Sequence, residues 1–336
     1  MREAALASQT PSSGLDGRPE WGRFPFDLLR HTSFPEPAGG FIRAVRHLSM
    51  IPPFPWGHWA YGRFLSERGA NLHGDIVEAG VGLGGMSLFL ALMQRRRGLR
   101  RTIFAVDTFA GLPQPDSAHD NAYFTPGEYG AAPGAPDLEM RLWAEAERLG
   151  VGADVVPVRG RFEETLPRLA AQGPLALVHI DADLYASVAA ALRALYDAVD
   201  EGGAIAIDDF FHPGQGAIRA AGEFFNERGL IPLYHVVFPY AVLIVKGERS
   251  DAEQRRSVDG NAYAFDLVRD PVFVAALEQS VRRAGDDADA RAAAEALLEL
   301  VHGGPQTHGI YDYWRALDSW WRWIDVLPEQ RATHLL

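Results

Sequence analysis

Apolar and polar positions along the middle of the chain predict a parallel β-sheet. From Gly74 onward, short apolar runs alternate with helix-like stretches, as expected where each strand is followed by a helix. The runs predict strands at residues 75–79, 102–108, 153–159, 175–181 and 204–208. Two further runs, 230–237 and 240–246, lie too close together for a crossover helix and predict an antiparallel hairpin. The predicted fold class is therefore α/β, with five parallel strands and a C-terminal antiparallel hairpin.

The segments on either side of this sheet are predicted to be helical. Residues 41–69 indicate two helices around a proline-rich turn, and residues 271–284, 288–301 and 311–326 indicate three more. The last helix carries four tryptophans, which we expect to pack on the domain or across a homodimer. The predicted organisation is a flexible N-terminal tail (1–20), an N-terminal helical cap (21–73), a main domain (74–248) and a helical C-terminal extension (249–336).

Composition and charge narrow the possible partners. The net charge of −12 argues against binding to nucleic acid, which needs a basic surface. No apolar run approaches the roughly 18 residues of a membrane span, and the amino terminus lacks the apolar region of a signal peptide, so we expect a cytoplasmic protein. Cysteine is absent, which excludes thiolate metal sites, and Lys246 is the only lysine.

Two clusters of acidic residues follow two of the predicted strands. Asp181 and Asp183 come after the fourth strand, and Asp208 and Asp209 after the fifth. The carboxyl ends of parallel strands meet at the crevice where open α/β sheets bind ligands. Neighbouring strands lie only about 5 Å apart, so these carboxylates repel one another unless a cation or shared protons hold them. An all-oxygen cluster suits Mg²⁺, with Mn²⁺ or Ca²⁺ as substitutes.

A glycine-rich turn follows the first strand and opens a predicted helix at 86–94. The residues Glu78-Ala-Gly-Val-Gly-Leu-Gly-Gly85 allow a ligand to approach the backbone and a helix amino terminus. Asp107, at the end of the second strand, can accept both hydroxyls of a ribose. These features are common to proteins that bind S-adenosylmethionine and to proteins that bind NAD, so the turn alone leaves both open. The acidic clusters and the terminal hairpin argue against NAD.

Five ordered blocks carry a resemblance to a known family. They begin at Val77, Asp107, Arg159, His179 and Ile207, and read VEAGVGLGG, DTFAGLP, RGRFEETL, HIDADLY and IDDF. Together they resemble the macrocin O-methyltransferase family, over about residues 61–246. The resemblance implies a class I methyltransferase fold with a Rossmann-like sheet, S-adenosylmethionine and Mg²⁺ as cofactors, and a sugar hydroxyl of a glycosylated natural product as the methyl acceptor.

The resemblance also implies roles for individual residues. Asp181, Asp208 and Asp209 correspond to the Mg²⁺ ligands, and Asp183 to the general base that takes the proton from the sugar hydroxyl. Phe162 is expected to cover the adenine. The residues expected to bind S-adenosylmethionine are Glu78, Gly80, Gly82, Gly84, Gly85, Met86, Asp107, Thr108, Gly160, Phe162 and Asp181. Residues 111–136, rich in Pro, Gly, Asp and Tyr, are the lid candidate.

Three other interpretations remain open from the sequence. Mg²⁺-dependent catechol O-methyltransferases share the Asp-Ala-Asp pattern but use a nearby lysine as base, whereas Leu184 and Tyr185 follow that pattern here. A metal-dependent glycosyltransferase explains Asp181-Ala-Asp183 but does not need the glycine turn. A non-enzymatic cofactor-binding protein leaves the carboxylates without a role.

Overall fold

The computed structural model describes residues 32–49, 55–120, 122, 124–211, 216–249, 256–258, 261–267, 270–285, 288–303 and 313. These residues belong to two compact units, one formed by Phe34–Asp266 and the other containing the C-terminal helices. The first unit holds the sheet and all of the predicted site residues.

The sheet positions the site. Among the described residues it has nine strands in the order β3-β2-β1-β4-β5-β7-β6-β9-β8. The first five strands are parallel, and β7 is antiparallel to β5 and β6, so the predicted parallel strands and hairpin are confirmed. The strands are β1 (Asp75–Ala79), β2 (Ile103–Asp107), β3 (Val155–Arg159), β4 (Leu175–Ile180), β5 (Val199–Ile207), β6 (Pro232–Val237), β7 (Ala241–Arg249), β8 (Arg256–Val258) and β9 (Asn261–Leu267). β4 is buried along its whole length, as its uninterrupted apolar sequence predicts.

Helices follow the strands and precede the sheet. The helices are α1 (Ala38–Val45), α2 (Trp56–Arg68), α3 (Gly85–Arg96), α4 (Leu138–Arg148), α5 (Phe162–Ala170), α6 (Tyr185–Leu195), α7 (Ala217–Glu227), α8 (Pro271–Ala284) and α9 (Ala288–Gly303). α1, α2 and α3 pack together, and α6 packs between α5 and α7. The two predicted helices of the N-terminal cap correspond to α1 and α2.

Local chemistry explains where two of these helices begin. The side chain of Asp137 accepts hydrogen bonds from the backbone N–H groups of Glu139 and Met140 at the start of α4. Asp270 caps α8 in the same way, and Pro271 occupies its first turn, where a missing N–H is harmless.

The structure differs from the sequence-based predictions in two places. β5 begins at Val199, five residues before the predicted start. Val-Asp-Glu-Gly-Gly reads as a turn, and the strand is indeed irregular there, with Gly202 at a φ of 79° and a register shift against β4 between Leu175 and Leu177. β8 and β9 lie in a segment that was predicted to be helical from residue 249 onward, whereas α8 and α9 agree with their predicted positions. The predicted domain boundaries stay predictions. The tail at 1–20 and, apart from Tyr313, the predicted helix at 311–326 lie outside the described residues.

Within the described part of the chain, none of the helices is long and apolar enough to cross a membrane.

Candidate active site

The acidic residues of β4 and β5 meet at one edge of the sheet. The two strands are paired in parallel up to Ile180 and Ile207, and the backbone N–H of Asp208 donates to the carbonyl of Ile180 at 2.8 Å. Asp181 and Asp208 therefore leave the sheet side by side. One oxygen of each carboxylate and one ring nitrogen of His179 all lie within 4.8 Å of one another.

The second pair of acids lies immediately beyond the first. Asp183 and Asp209 both have left-handed backbone angles, with φ of 55° and 50°, a conformation that Asp tolerates better than most residues. Their side chains are hydrogen-bonded to each other. Two ionised carboxylates this close repel each other, so their contact requires either a shared proton or a nearby cation.

Burial and mutual repulsion perturb the acids strongly. Burial is the main cause that raises the pKa of Asp181 well above its ordinary value, followed by the charges of Asp208, Asp209 and Asp183. Burial also raises the pKa of Asp183 well above its ordinary value, followed by the charge of Asp209 and the hydrogen bond to it. Strongly perturbed carboxyl groups in a crevice are typical of functional sites.

The residues present fit a hard divalent cation. One carboxylate oxygen each of Asp181 and Asp208 and one ring nitrogen of His179 could reach the same ion, and a cation there would offset the repulsion that raises the pKa of Asp181. Of the predicted ligands, Asp181 and Asp208 belong to the cluster defined by distance, which includes His179, whereas Asp209 bonds with Asp183. The assignment of Asp181, Asp208 and Asp209 as ligands stays a prediction.

The glycine turn lies directly against the acidic cluster. Gly80 has a φ of 92°, and a Cβ atom on it would lie 1.8 Å from the backbone oxygen of Asp181. Only glycine permits this contact. Gly84, with φ of 87°, closes the turn as the residue that precedes α3. A Cβ atom there would lie 2.3 Å from Leu142. The turn and the acidic cluster are therefore parts of one packed unit.

Asp107 holds the glycine turn in place. One of its carboxylate oxygens accepts hydrogen bonds from the backbone N–H groups of Val81 at 2.8 Å and Gly82 at 3.2 Å, and the other accepts from Phe109 at 2.8 Å. The hydroxyl of Thr108 donates to the carbonyl of Gly111 at 3.0 Å. Asp107 thus orders the turn, and its predicted contact with the ribose stays a prediction.

Glu78 lies below the turn in the protein core. It is 2% exposed, its carboxylate accepts a hydrogen bond from the hydroxyl of Ser87, and one of its oxygens lies 3.3 Å from Nδ1 of His179. Glu78 and His179 are aligned in the β1–β4 ladder, so they occupy the same face of the sheet. The carboxylate of Glu78 links the start of α3 with the acidic cluster.

The remaining predicted cofactor residues lie at adjacent strand ends. Gly160 follows β3, and Phe162 begins α5 with its ring half-buried. Met86 is buried in the first turn of α3. At the end of β3, Arg159 binds Glu139 at 2.6 Å and Asp137 at 2.7 Å, which fixes the start of α4 beside this edge. Their roles in cofactor binding stay predictions.

The lid candidate is attached to the helix that follows Asp183. The backbone N–H of Tyr185, in the first turn of α6, donates to the carboxylate of Asp120 at 2.8 Å. The ring of His119 stacks on the ring of Tyr185 at 4.1 Å, and Asp116 binds His119 at 2.7 Å. A negative side chain at a helix amino terminus is favourable, so Asp120 both caps α6 and anchors the segment to the start of this helix, two residues after Asp183.

The two ends of the same segment are pinned together. The backbone N–H of Leu112 donates to the carbonyl of Glu128, and that of Gly127 donates to the carbonyl of Leu112, both at 2.8 Å. The charge of Glu128 also contributes to the raised pKa of Asp183. The loop closed by these two hydrogen bonds therefore places the carboxylate of Glu128 near the acidic cluster.

The single lysine lies at the opposite end of the sheet. Nζ of Lys246 donates to the carbonyl of Val199 at 2.7 Å, at the first residue of β5, whereas the acids follow its last residue. Lys246 therefore cannot serve as the base at this site, which removes the main support for the catechol-type alternative.

Two residues near the site, Asp120 and Tyr61, were not singled out from the sequence, and His58 was considered only as a residue that could line an acceptor groove. Asp120 was one acid among many in a segment without periodicity. Tyr61 and His58, on α2, approach the cluster from the N-terminal cap, and their one signal in the sequence was the aromatic content of that cap. Burial and the nearby His179 lower the pKa of His58 to about 3.

The strand order of the first seven strands, with β7 antiparallel, and the glycine turn after β1 define the fold of a class I methyltransferase. The sequence of residues 67–237, just over half of the chain, matches the family model described as Macrocin-O-methyltransferase (TylF). The chain belongs to this family.

Two curated relatives and one solved structure illustrate the likeness. The 8-demethyl-8-(2,3-dimethoxy-alpha-L-rhamnosyl)-tetracenomycin-C 4'-O-methyltransferase of Streptomyces olivaceus is 36% identical over 153 residues, 41% of this chain and 53% of the relative. Demethyldecarbamoylnovobiocin O-methyltransferase of Streptomyces niveus is 32% identical over 158 residues, 42% of this chain and 55% of the relative. The chain spans about half the length of these relatives. The structure of the O-methyltransferase NovP has a TM-score of 0.52 at 21% identity, covering 66% of this chain and 98% of its own, which is a likeness of fold.

Proposed function

We propose that the protein is a Mg²⁺-dependent S-adenosylmethionine O-methyltransferase that methylates a sugar hydroxyl of a glycosylated natural product. The observation that carries this proposal is the direct contact between the glycine turn at Gly80 and the backbone of Asp181. It brings a nucleotide-type cofactor turn and a cluster of four carboxylates to the same edge of the sheet. The relatives support the acceptor class, because both are named as O-methyltransferases and one acts on a rhamnosyl sugar.

The glycine turn and its neighbours would hold the cofactor. S-adenosylmethionine supplies a methyl group made electrophilic by its sulfonium. Backbone N–H groups at the start of α3 and the half-buried ring of Phe162 offer polar and apolar contacts to its two ends. The carboxylate of Asp107 fixes the turn in advance, which reduces the ordering that binding must produce.

Asp183 would accept the proton of the acceptor hydroxyl. An alcohol is a weak nucleophile at neutral pH, so a base must remove its proton as the new C–O bond forms. The raised pKa of Asp183 makes its ionised form a stronger base than an exposed carboxylate. The neighbouring carboxylates Asp181, Asp208 and Asp209 would hold Mg²⁺, which supplies positive charge that lowers the pKa of a hydroxyl.

Binding and turnover test the two parts of this proposal separately. Calorimetric titration with S-adenosylhomocysteine is expected to show one site per chain, and the absence of binding at millimolar ligand would contradict the cofactor assignment. Glycosides with and without a rhamnosyl sugar are then incubated with S-adenosylmethionine and examined for a mass increase of one methyl. Turnover is expected to stop with EDTA and to return with Mg²⁺. Turnover that EDTA leaves unchanged would contradict the cation requirement alone.

The quaternary and cellular parts of the function stay predictions. We expect a homodimer in the cytoplasm with no nucleic-acid partner. Light scattering during size-exclusion chromatography measures the first of these directly, and a monomeric mass would contradict it.

A further inference from the structure

Tyr61 lies next to the acidic cluster although it belongs to the N-terminal cap. It is on α2, with 1% of the residue exposed. The centroid of its ring is 5.3 Å from that of His179, and a ring nitrogen of His179 lies within 4.8 Å of carboxylate oxygens of Asp181 and Asp208. The helix α2 therefore places an aromatic hydroxyl residue beside the candidate cation site.

The hydroxyl of Tyr61 is buried and, within the described part of the chain, has no hydrogen-bond partner. Proteins rarely leave a buried hydroxyl unsatisfied, because its lost contact with water is not replaced. The ring packing of Tyr61 is equally available to phenylalanine, so packing does not account for the hydroxyl. A hydroxyl at this position therefore indicates an acceptor in the working state of the site.

The carboxylates beside His179 are the candidate acceptors for this hydroxyl. The ring of Tyr61 lies 5.3 Å from that of His179, whose nitrogen is within 4.8 Å of oxygens of Asp181 and Asp208. A tyrosine hydroxyl, with an ordinary pKa of about 10, is protonated at neutral pH and can donate to a carboxylate. Burial and then the charges of Asp208, Asp181 and Asp209 raise the pKa of Tyr61, which agrees with this placement.

We propose that Tyr61 is a positioning residue of the cation site, whose hydroxyl donates a hydrogen bond, directly or through one ordered water, to the carboxylate oxygens around Asp208. This inference rests on the proposed cation dependence. A donor that orients a ligand carboxylate from outside commonly changes metal affinity about 10- to 100-fold. The same hydrogen bond links α2 to the site. The N-terminal cap is therefore most stable when the carboxylates are ionised and bind the cation.

Tyr61→Phe tests the inference with measurements that do not depend on turnover. The ring packing is kept, so without added metal the variant is expected to melt at the same temperature as the wild type or higher, since an unsatisfied hydroxyl has been removed. Its affinity for Mg²⁺, measured by the metal-induced rise in melting temperature and by calorimetry, is expected to fall about 10- to 100-fold. Tyr196→Phe, at the other end of β5, is the matched control and is expected to keep wild-type affinity.

A second pair of variants redirects the hydroxyl without deleting it. A Cβ atom on Gly57 would lie 3.7 Å from the hydroxyl oxygen of Tyr61 and 3.4 Å from its ring, which is ordinary contact. Gly57→Ser therefore places a competing hydroxyl beside Tyr61, whereas Gly57→Ala fills the same space without one. We expect the serine variant to bind Mg²⁺ more weakly than the alanine variant.

The outcomes separate this inference from the proposed function. Weaker Mg²⁺ binding in Tyr61→Phe and Gly57→Ser, with normal binding in both controls, supports it. Equal Mg²⁺ binding by wild type and Tyr61→Phe overturns the inference and leaves the proposed function standing. A wild-type protein that binds no Mg²⁺ overturns this inference and the cation requirement of the proposed function, whereas S-adenosylmethionine-dependent methyl transfer is tested separately by turnover.

Discussion

Replacing Asp183 by asparagine separates its predicted catalytic role from its effect on stability. Asparagine keeps the shape of the side chain, and its amide donates to the carboxylate of Asp209, so the pair no longer needs a proton. A general base contributes about 10²- to 10⁴-fold to rate, which corresponds to about 3 to 5 kcal/mol of barrier. We therefore expect methyl transfer to fall by that factor while the affinity for S-adenosylhomocysteine stays unchanged.

The same substitution is expected to stabilise the protein when no cation is present. The pKa of Asp183 is higher in the folded than in the unfolded chain, so its contribution to stability is full at low pH and is lost as pH rises from about 3.9 toward the folded value. Each unit of that interval costs about 1.4 kcal/mol, and the unfolding entropy of a 336-residue chain is about 0.7 kcal/mol/K, so each unit shifts the melting temperature by about 2 °C. Asp183→Asn should therefore melt above wild type at pH 7 in EDTA, by about 2 °C for each unit of the interval that lies below pH 7, with a smaller difference at pH 4.

Single-turnover assays and scanning calorimetry at both pH values provide the two measurements. Asp197→Asn, at the far end of β5, is the control and is expected to leave turnover unchanged. The hydrogen bond from Arg228 lowers the pKa of Asp197, so this variant is expected to melt below wild type, more so at pH 7 than at pH 4, which is opposite to Asp183→Asn. Methyl transfer within tenfold of wild type in Asp183→Asn would refute the assignment of the base. Equal melting temperatures at pH 7 in EDTA would refute the reasoning about repulsion.

Three further predictions follow from other contacts. Gly80→Ala is expected to cost more than about 3 kcal/mol in chemical denaturation, because a 1.8 Å contact with the backbone of Asp181 forces strands apart, whereas Gly98→Ala, with a positive φ but open space, should cost about 1 to 2 kcal/mol. Asp120→Ala removes the acceptor of the Tyr185 N–H and should cost about 1 kcal/mol, with faster amide exchange at Tyr185 than in wild type. The pKa of His58, about 3, lies below that of the unfolded chain, so stability is lost as pH falls below about 6.5, by up to about 1.4 kcal/mol per pH unit. In urea denaturation between pH 5 and 7, the unfolding free energy of His58→Gln should depend less steeply on pH than that of wild type. An equally steep pH dependence would contradict this.

The sheet and the position of the acidic cluster were predictable from sequence because both depend on local pattern. A strand buried on both faces needs an uninterrupted apolar run, as in β4, and the residue after such a strand lies at the sheet edge. The pairing of β4 with β5 then brings Asp181 beside Asp208. The start of β5 was not predictable, because its glycines and acids read as a turn when the neighbouring strands are unknown.

Contacts between residues far apart in the chain could not be predicted from the sequence. Asp120 caps a helix that begins 65 residues later, and nothing in its own neighbourhood distinguishes it from Asp116. Asp107 illustrates the same limit. Its position at the end of β2 was predicted correctly, but its hydrogen bonds with Val81 and Gly82 depend on how the turn folds back. The hydrophobic pattern of the sequence predicts where strands end. Which side chains meet across the crevice can be known only from the folded structure.

Direct contacts join the acidic cluster to the glycine turn and to the N-terminal cap. Binding at one of these parts is therefore expected to affect the others. Gly80, which follows β1, packs directly against the backbone of Asp181. On the other side of the turn, Asp107 accepts a hydrogen bond from the backbone N–H of Val81. A movement of Asp181 therefore displaces the turn as well. Tyr61 connects α2 to the same cluster. A change in charge at the acids, whether by protonation or by a cation, therefore acts on the cofactor turn and on the cap together. Cofactor and cation binding should consequently be coupled, so the affinity for S-adenosylhomocysteine measured with Mg²⁺ should differ from that in EDTA, and equal affinities would show that the two sites act independently.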